Sequence, residues 1–300
     1  MNENIEIFHA TQEKIEGDER LYRLTKQAMR KTRLYEEGFH SSLSPVYRDS
    51  KIVFEETLTL IPAAVCVEEG LKTAVLNFAN PVEPGGGVLR GANAQEEYLC
   101  RASNLYPCLT SPAAKPYYDS HKTLLERNAS ESGIFLSTDQ ILYSPGVTVI
   151  REDAAYIPGV SGTSGQIYTD NWKQLDVITC AAPFFSDSKY RLPSGDLWHL
   201  YTRRIKNILE TAIENGVEAL ILGAFGCGAF HNPPRVVAGA FQDVFMQERY
   251  RYAFKEVIFA VKRTGSFCEN IEAFELSFSR FPSAGDYIFS PERNKRRFFS

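Results

Sequence analysis

The chain has 300 residues, 44% of them hydrophobic, and a formal net charge of −4 at pH 7. That length allows one large domain or two small ones with an ample buried core. The acidic balance argues against a general nucleic-acid binder, whose footprint is basic, and no apolar run reaches the length of a membrane span.

In chain order, MNENIEIFHATQEK at the N-terminus carries acidic residues and no apolar h-region, so no secretory signal is expected. From Asp18 to about Gly38 the sequence is polar and rich in helix formers, which predicts a surface helix or two. Lys26, Arg30, Lys31 and Arg33 make this part basic, as a solvated face or a polymer-binding one. KIVFEETLTL, Lys51 to Leu60, predicts a strand, and VCVEEG leads to a second one at Ala74 to Phe78. That strand runs into Ala79 and Asn80, then Gly85, Gly86 and Gly87, then Gln95, Glu96 and Glu97. From there Leu99, Ala102, Leu105 and Tyr106 recur at helical spacing.

Residues 107–141 mix Pro, Tyr, Ser and Asp, with a short helical stretch near His121 to Arg127, and predict an irregular excursion over the site. YSPGVTVIRED reads as a turn and a strand, IPGVSGTSGQIYTD as a glycine- and serine-rich loop, and LDVITCAAP as a buried strand. Leu197 to Asn215 is strongly amphipathic and closed by Gly216. The apolar run Ala219 to Leu222 fits a central parallel strand. It continues into a small-residue loop at Gly223, Ala224, Gly226 and Gly228, after which Pro233 and Pro234 start a helix. KEVIFAVKR adds a strand and NIEAFELSF an amphipathic segment. The polar stretch from Ser283 to Ser300 predicts a frayed or surface-packed terminus.

Strands alternating with helices indicate an α/β fold with a largely parallel sheet. Such sheets bind ligands at the carboxyl ends of their strands, where both glycine loops fall. Three glycines in a row bring peptide N–H groups close to a bound group, and a loop of that kind opening a helix suits phosphate. Carboxylates at the helix start then stand beside that phosphate, and carboxylates are the usual residues for glycosidic proton transfer. The residues alone therefore describe a site for a phosphorylated, nucleotide-like ligand with acid/base chemistry next to it. Each part has a plainer explanation: a turn for the glycines, dipole compensation for the Glu pair. Gly85, Gly87 and Gly91 have the wrong spacing for a dinucleotide fingerprint, and no Gly-Lys-Ser/Thr follows for a P-loop.

Six cysteines (Cys66, Cys100, Cys108, Cys180, Cys227, Cys268) lack metal-type pairing and read as reduced, buried thiols of a cytoplasmic protein. Five histidines (His9, His40, His121, His199, His231) show no ligand spacing, so neither metal nor cofactor is expected. No repeat or linker marks a domain boundary.

Gly85-Gly86-Gly87 followed after seven residues by Gln95-Glu96-Glu97 resembles the signature of poly(ADP-ribose) glycohydrolases. NFAN before it is similar to the macrodomain segment in which a strand ends on Asn, and LGAFGCGAF, Leu222 to Phe230, resembles the family's other phosphate loop. The likeness is greatest to the compact microbial branch. It implies a macrodomain-like catalytic domain over 51–282, a helical extension over 1–50 packed on it, and a tail over 283–300, together one folding unit. It implies a substrate of ADP-ribose units joined by ribose–ribose bonds. Gly226, Cys227, Gly228 and Ala229 would hold the diphosphate, Gly85 to Gly87 would close over the distal ribose, Phe230 would pack on that ribose and Asn80 would orient its hydroxyls. Glu97 would be the catalytic acid/base, with Glu96 and Gln95 positioning substrate. The implied partners are poly(ADP-ribose) or ADP-ribosylated proteins, with ADP-ribose as product, no membrane and no sequence-specific nucleic acid. A mono-ADP-ribosyl hydrolase and a non-catalytic ADP-ribose reader use the same pocket, and the intact Glu pair argues against the reader. Arg90 has no assigned place, and the adenine clamp is open among Tyr98, Tyr106, Tyr117, Tyr118 and Phe225.

Overall fold

The computed structural model describes residues 2–48, 50–127, 133–153, 166–187, 192–263, 268–278 and 287–289. The chain opens with α1 (Glu3–Gly17), α2 (Glu19–Lys31) and the short strand β1 (Arg33–Tyr35). Then come β2 (Lys51–Glu55), α3 (Leu60–Glu68), β3 (Thr73–Phe78), α4 (Gln95–Ala102), α5 (Leu105–Leu109) and α6 (Lys115–Arg127). After β4 (Ile134–Phe135) the long strands β5 (Ile141–Asp153) and β6 (Gln166–Cys180) follow, then β7 (Phe184–Phe185) and α7 (Ser194–Glu214). The last part holds β8 (Ala219–Leu222), α8 (Pro234–Phe245), α9 (Glu248–Arg251), β9 (Glu256–Ala260), α10 (Glu269–Phe278) and β10 (Tyr287–Phe289).

One sheet has the order β1-β5-β6-β3-β8-β9-β2-β10, with β4 and β7 paired separately. Every neighbour from β6 to β10 is parallel, while β1–β5 and β5–β6 are antiparallel. The expected mixed, largely parallel α/β sheet is what forms. Alternation along the central strands builds a layer on each face. Ile52, Phe54, Ala74, Leu76, Leu220 and Leu222 meet α7, α8 and α10 in one core. Val53, Val75, Ala219 and Ile221 meet the other core, with Ala63 of α3, Leu99 of α4, Leu105 of α5 and Tyr117 of α6.

Several sequence expectations need correcting. The strand expected over Lys51 to Leu60 stops at Glu55, and Leu60 begins α3, which absorbs most of VCVEEG. The cause is burial: Leu60, Ala63 and Cys66 are spaced to seat one helical face on the sheet, and Pro62 falls in the first turn, where its missing N–H costs nothing. Within the excursion expected over 107–141, the end of α5 and all of α6 are helical, and Tyr117, Tyr118 and His121 of α6 are buried in the core rather than laid over a site. A helix also precedes Asp18: α1 starts at Glu3, and Asp18 ends it while capping α2 by accepting the Leu21 N–H at 3.0 Å. Residues 33–35 are strand rather than helix. Within the expected tail, Tyr287–Phe289 pairs in parallel with Ile52–Phe54. The glycine- and serine-rich loop reading lies mostly outside the described residues.

Candidate active site

Strand β3 delivers its carboxyl end beside α4, and Gln95 ties the two together. Its Oε1 accepts the Phe78 N–H at 2.9 Å, and its Nε2 donates to the Leu76 carbonyl at 2.7 Å and to Thr59 Oγ1 at 3.3 Å. Strand, loop and helix start are thereby locked. Gln95 spends its amide on this joint.

The two carboxylates that follow are buried, Glu96 at 2% and Glu97 at 6% exposure. Glu97 folds back on the loop, Oε1 accepting the Gly87 N–H at 2.8 Å and Oε2 the Ala94 N–H at 3.0 Å. The second bond is half of a capping box; Ala94 has no acceptor to return the other half. Glu96 points the other way along the loop. Its Oε2 accepts the Asn80 N–H at 2.7 Å and its Oε1 the Asn77 amide at 3.3 Å. Burial pushes the Glu96 carboxyl up to about 8, against the opposing pull of those donors. At neutral pH it is therefore mostly an uncharged acid.

Both carboxylates converge on Gly86. A side chain there would place Cβ 2.5 Å from Glu97 Oε1 and 3.1 Å from Glu96 Oε2, and φ is +59°. The missing side chain is what lets both carboxyl groups close up against the loop backbone. Asn80 Oδ1 accepts the N–H groups of Val82 and Glu83, both at 2.9 Å, and shapes the approach to the glycines. Its Nδ2 makes no hydrogen bond among the described residues. Arg90, unplaced by sequence, forms a two-bond ion pair with Glu83 (2.6 and 3.2 Å) across the glycine loop.

The second loop follows β8. Gly226 has φ +77°, and a Cβ there would lie 2.5 Å from Ala182 Cβ and 2.6 Å from the Tyr201 hydroxyl. Asn232 braces the turn from below: its Nδ2 donates to the Pro183, Gly226 and Phe230 carbonyls at 2.6, 2.9 and 3.2 Å. Tyr201 donates to the Phe225 carbonyl at 3.0 Å. Among the described residues the N–H groups of Gly226, Gly228, Ala229 and Phe230 find no acceptor. Phe230 is half-buried, its ring edge-on to Phe184 at 5.3 Å.

Between the start of α4 and the second loop lies a cavity of about 590 Å³, a size that suits a small-molecule ligand. Gln95, Gly226, Gly228, Ala229 and Phe230 line it. Glu96, Glu97, Asn80, Gly85, Gly86, Gly87 and Cys227 do not; the two acids are buried next to the wall residues Ala94 and Gln95. Of the five clamp candidates, Tyr98 and Phe225 reach the wall, Tyr117 and Tyr118 are core, and Tyr106 packs on Phe8 at 5.0 Å. Other wall residues were not read from the sequence. Arg101 lies one turn beyond Glu97 and is 2% exposed, with Nη1 on the Ala92 carbonyl at 2.7 Å and Nη2 on Asn93. Continuing the helical spacing from Ala94 and Gln95 through Tyr98 would have reached it. Asn4 and Ile7 come from α1, and Asn4 donates to the Gly91 carbonyl at 3.0 Å. No local pattern announces them. Among the described residues no group of His, Cys, Asp and Glu could hold a metal.

Comparison with known proteins agrees with this geometry. The model of the microbial-type PARG catalytic domain matches residues 3–152, half of the chain. A poly(ADP-ribose) glycohydrolase structure from Thermomonospora curvata is 27% identical, covering 93% of this chain and 100% of its own, at a TM-score of 0.76. The same enzyme bound to the inhibitor ADP-HPD is 29% identical over 94% of this chain and 100% of its own, at 0.76. The Deinococcus radiodurans glycohydrolase in complex with ADP-ribose is 27% identical, covering 85% of this chain and 96% of its own, at 0.68. Among curated protein sequences none matches. The carboxylate pair behind one glycine loop, the open N–H groups of the other and the family match lead to one conclusion: the chain belongs to the microbial-type poly(ADP-ribose) glycohydrolase (PARG) catalytic-domain family and is a glycoside hydrolase acting on poly(ADP-ribose).

Proposed function

We propose that the cavity takes the terminal ADP-ribose unit of the polymer and that Glu97 cuts the ribose–ribose bond behind it. The observation that carries this reading is the convergence of two buried carboxyl groups on Gly86, near a cavity lined by Gly226, Gly228, Ala229 and Phe230, whose N–H groups find no acceptor among the described residues. Those donors, on Gly226, Gly228, Ala229 and Phe230, suit a diphosphate. Gly85 to Gly87 covers the distal ribose, the Phe230 ring packs on it and Asn80 Nδ2 reaches its hydroxyls. Complexes of the two bacterial relatives with ADP-ribose and ADP-HPD support the choice of ligand.

In the first step Glu97 gives a proton to the 2′-oxygen of the penultimate ribose as the bond from that oxygen to the anomeric carbon breaks. The anomeric carbon takes on oxocarbenium character, which the diphosphate stabilises. In the second step water adds to that carbon and returns a proton to Glu97, releasing ADP-ribose. Glu96, as a neutral acid, donates a hydrogen bond to a substrate hydroxyl, and Gln95 fixes the helix that carries both acids. Polymer on modified proteins is the partner, nucleic-acid sequence plays no part, and the reaction belongs to the cytoplasm. Among the described residues no helix is long and apolar enough to cross a membrane. We take residues 1–50, 51–282 and 283–300 as one unit, supported by α1 in the cavity wall, β1 at one edge of the sheet and Tyr287–Phe289 paired with β2.

The test is release of free ADP-ribose from purified poly(ADP-ribose), read by mass spectrometry, for wild type beside Glu97→Gln. Wild type should release it, and the variant should bind but turn over about two to four orders of magnitude more slowly. Binding without release by wild type would sink polymer hydrolysis and turn attention to mono-ADP-ribosylated targets or to a reader.

A further inference from the structure

The chain as a whole is acidic, yet the thirteen residues of α2 carry Arg20, Arg23, Lys26, Arg30 and Lys31 against a single acid, Glu19. At about 100° per residue, Arg20, Arg23, Arg30 and Lys31 fall within one arc about 100° wide, opposite the buried Leu21, Thr25 and Ala28. All four are exposed. Among the described residues only Arg23 has an ion-pair partner, Glu19 at 3.9 Å; Arg20, Arg30 and Lys31 have none. The stripe spans about 16 Å along the helix. Aromatic surface adjoins it: the Arg20 guanidinium lies 5.2 Å from the Trp172 ring, with Lys14 at 5.9 Å from the same ring, and Lys26 stands 5.2 Å from the 44%-exposed Tyr22. Cations interleaved with aromatic faces are what a flexible chain of phosphates and bases requires.

Position links this stripe to the cleft. Thr25 of α2 accepts a bond from Asn104 at 2.8 Å, immediately before α5. A Cβ at Gly85 would strike the α5 residue Tyr106 at 2.7 Å. On its other side α2 packs against α1, whose first turns reach the cavity wall through Asn4 and Ile7.

We infer that the outer face of α2 is a docking track for the polyanionic poly(ADP-ribose) chain beyond the unit held in the cleft, its pyrophosphates lying on Arg20, Arg23, Arg30 and Lys31. The inference rests on the polymer reading of the cleft. It makes the N-terminal helices a grip that discriminates long chains from short ones, separate from the site that cuts.

The experiment measures equilibrium binding of the full chain in the Glu97→Gln background, so that turnover does not blur it. The probes are long purified poly(ADP-ribose) and a two-unit oligomer, over a range of salt. With R20Q/R23Q/R30Q/K31Q added, long-chain affinity should fall by about tenfold or more at low salt, and the log–log salt slope should flatten by about 2 to 3. Affinity for the two-unit oligomer and the melting temperature should hold, and R20K/R23K/R30K should keep the long-chain advantage. Unchanged long-chain affinity and slope would overturn the track, as would an equal loss for the two-unit oligomer. Loss of single-stranded RNA binding with long-chain affinity intact would overturn it in favour of a nucleic-acid surface. Hydrolysis of the two-unit oligomer by the stripe variant with Glu97 intact is scored separately; its absence in wild type would count against the hydrolase reading and leave the binding comparison standing.

Discussion

The two glycine loops at the carboxyl edge of the sheet are built on different plans. The loop at Gly85 to Gly87 is backed by carboxyl side chains: both oxygens of Glu97 are held by backbone donors and Glu96 is buried beside it. The loop from Gly223 to Phe230 is backed by neutral groups, the Asn232 amide and the Tyr201 hydroxyl, and the N–H groups of Gly226, Gly228, Ala229 and Phe230 find no acceptor among the described residues. In the function proposed above, one loop moves a proton and the other holds an anion without contributing a charge of its own. Damage to the first should therefore appear in kcat, and damage to the second in KM.

The strongest way to break that contrast is Gly86→Ala. Its Cβ would fall 2.5 Å from Glu97 Oε1 at a left-handed backbone position, and misplacement of that order costs about 10²-fold in rate. Steady-state kinetics should show the loss in kcat with KM little changed; a pure KM effect would merge the two roles. Next in size is Asn232→Ala, which frees the Gly226, Pro183 and Phe230 carbonyls. Stability should drop by about 1–3 kcal/mol, read by thermal melting, and KM should rise with kcat largely kept.

Glu96→Gln sharpens the comparison through pH. The Glu96 carboxyl titrates near 8 in the folded protein against the ordinary 4.5, so the folded state holds the proton more tightly than the unfolded chain. Its stabilising contribution is full below about 4.5 and is lost as pH rises through 8. The wild-type melting temperature should accordingly fall more between pH 5 and 9 than that of the variant. Parallel pH curves would show that Glu96 is ionised throughout. The smallest effect is expected from Arg90→Ala, because the pair with Glu83 is exposed and worth less than about 1 kcal/mol. Hydrolysis should stay close to wild type; a large loss would mean that Arg90 touches substrate.

What the sequence revealed and what it hid follow from which information is local. The unit from Ala74 to Ala102 was legible because an apolar strand, three glycines and a helical spacing stand next to one another. The Gly223 to Phe230 loop was legible for the same reason. Helix α3 was not, because TLTL alternates like a strand and only burial of Leu60, Ala63 and Cys66 against the sheet decides for helix. Helix α1 lies inside the helical extension expected over 1–50, but its own bounds were not legible because it buries only Phe8, Thr11 and Ile15, a sparse pattern. Asn4 and Ile7 reach the cavity through tertiary packing across nearly ninety residues, which no window on the sequence contains. Arg101 was overlooked because arginine is ordinarily a surface residue, and here it is buried by its bonds to Ala92 and Asn93.

If the second loop holds the diphosphate as proposed, it does so through backbone N–H groups, and recognition is carried by shape and not by residue identity. Cys227 and Ala229 are then free to drift, while Gly226, wedged against Ala182 and Tyr201, and Asn232 beneath it stay fixed. Two chains could share this anion grip with hardly a side chain in common, so the ligand would outlast most of the residues that touch it.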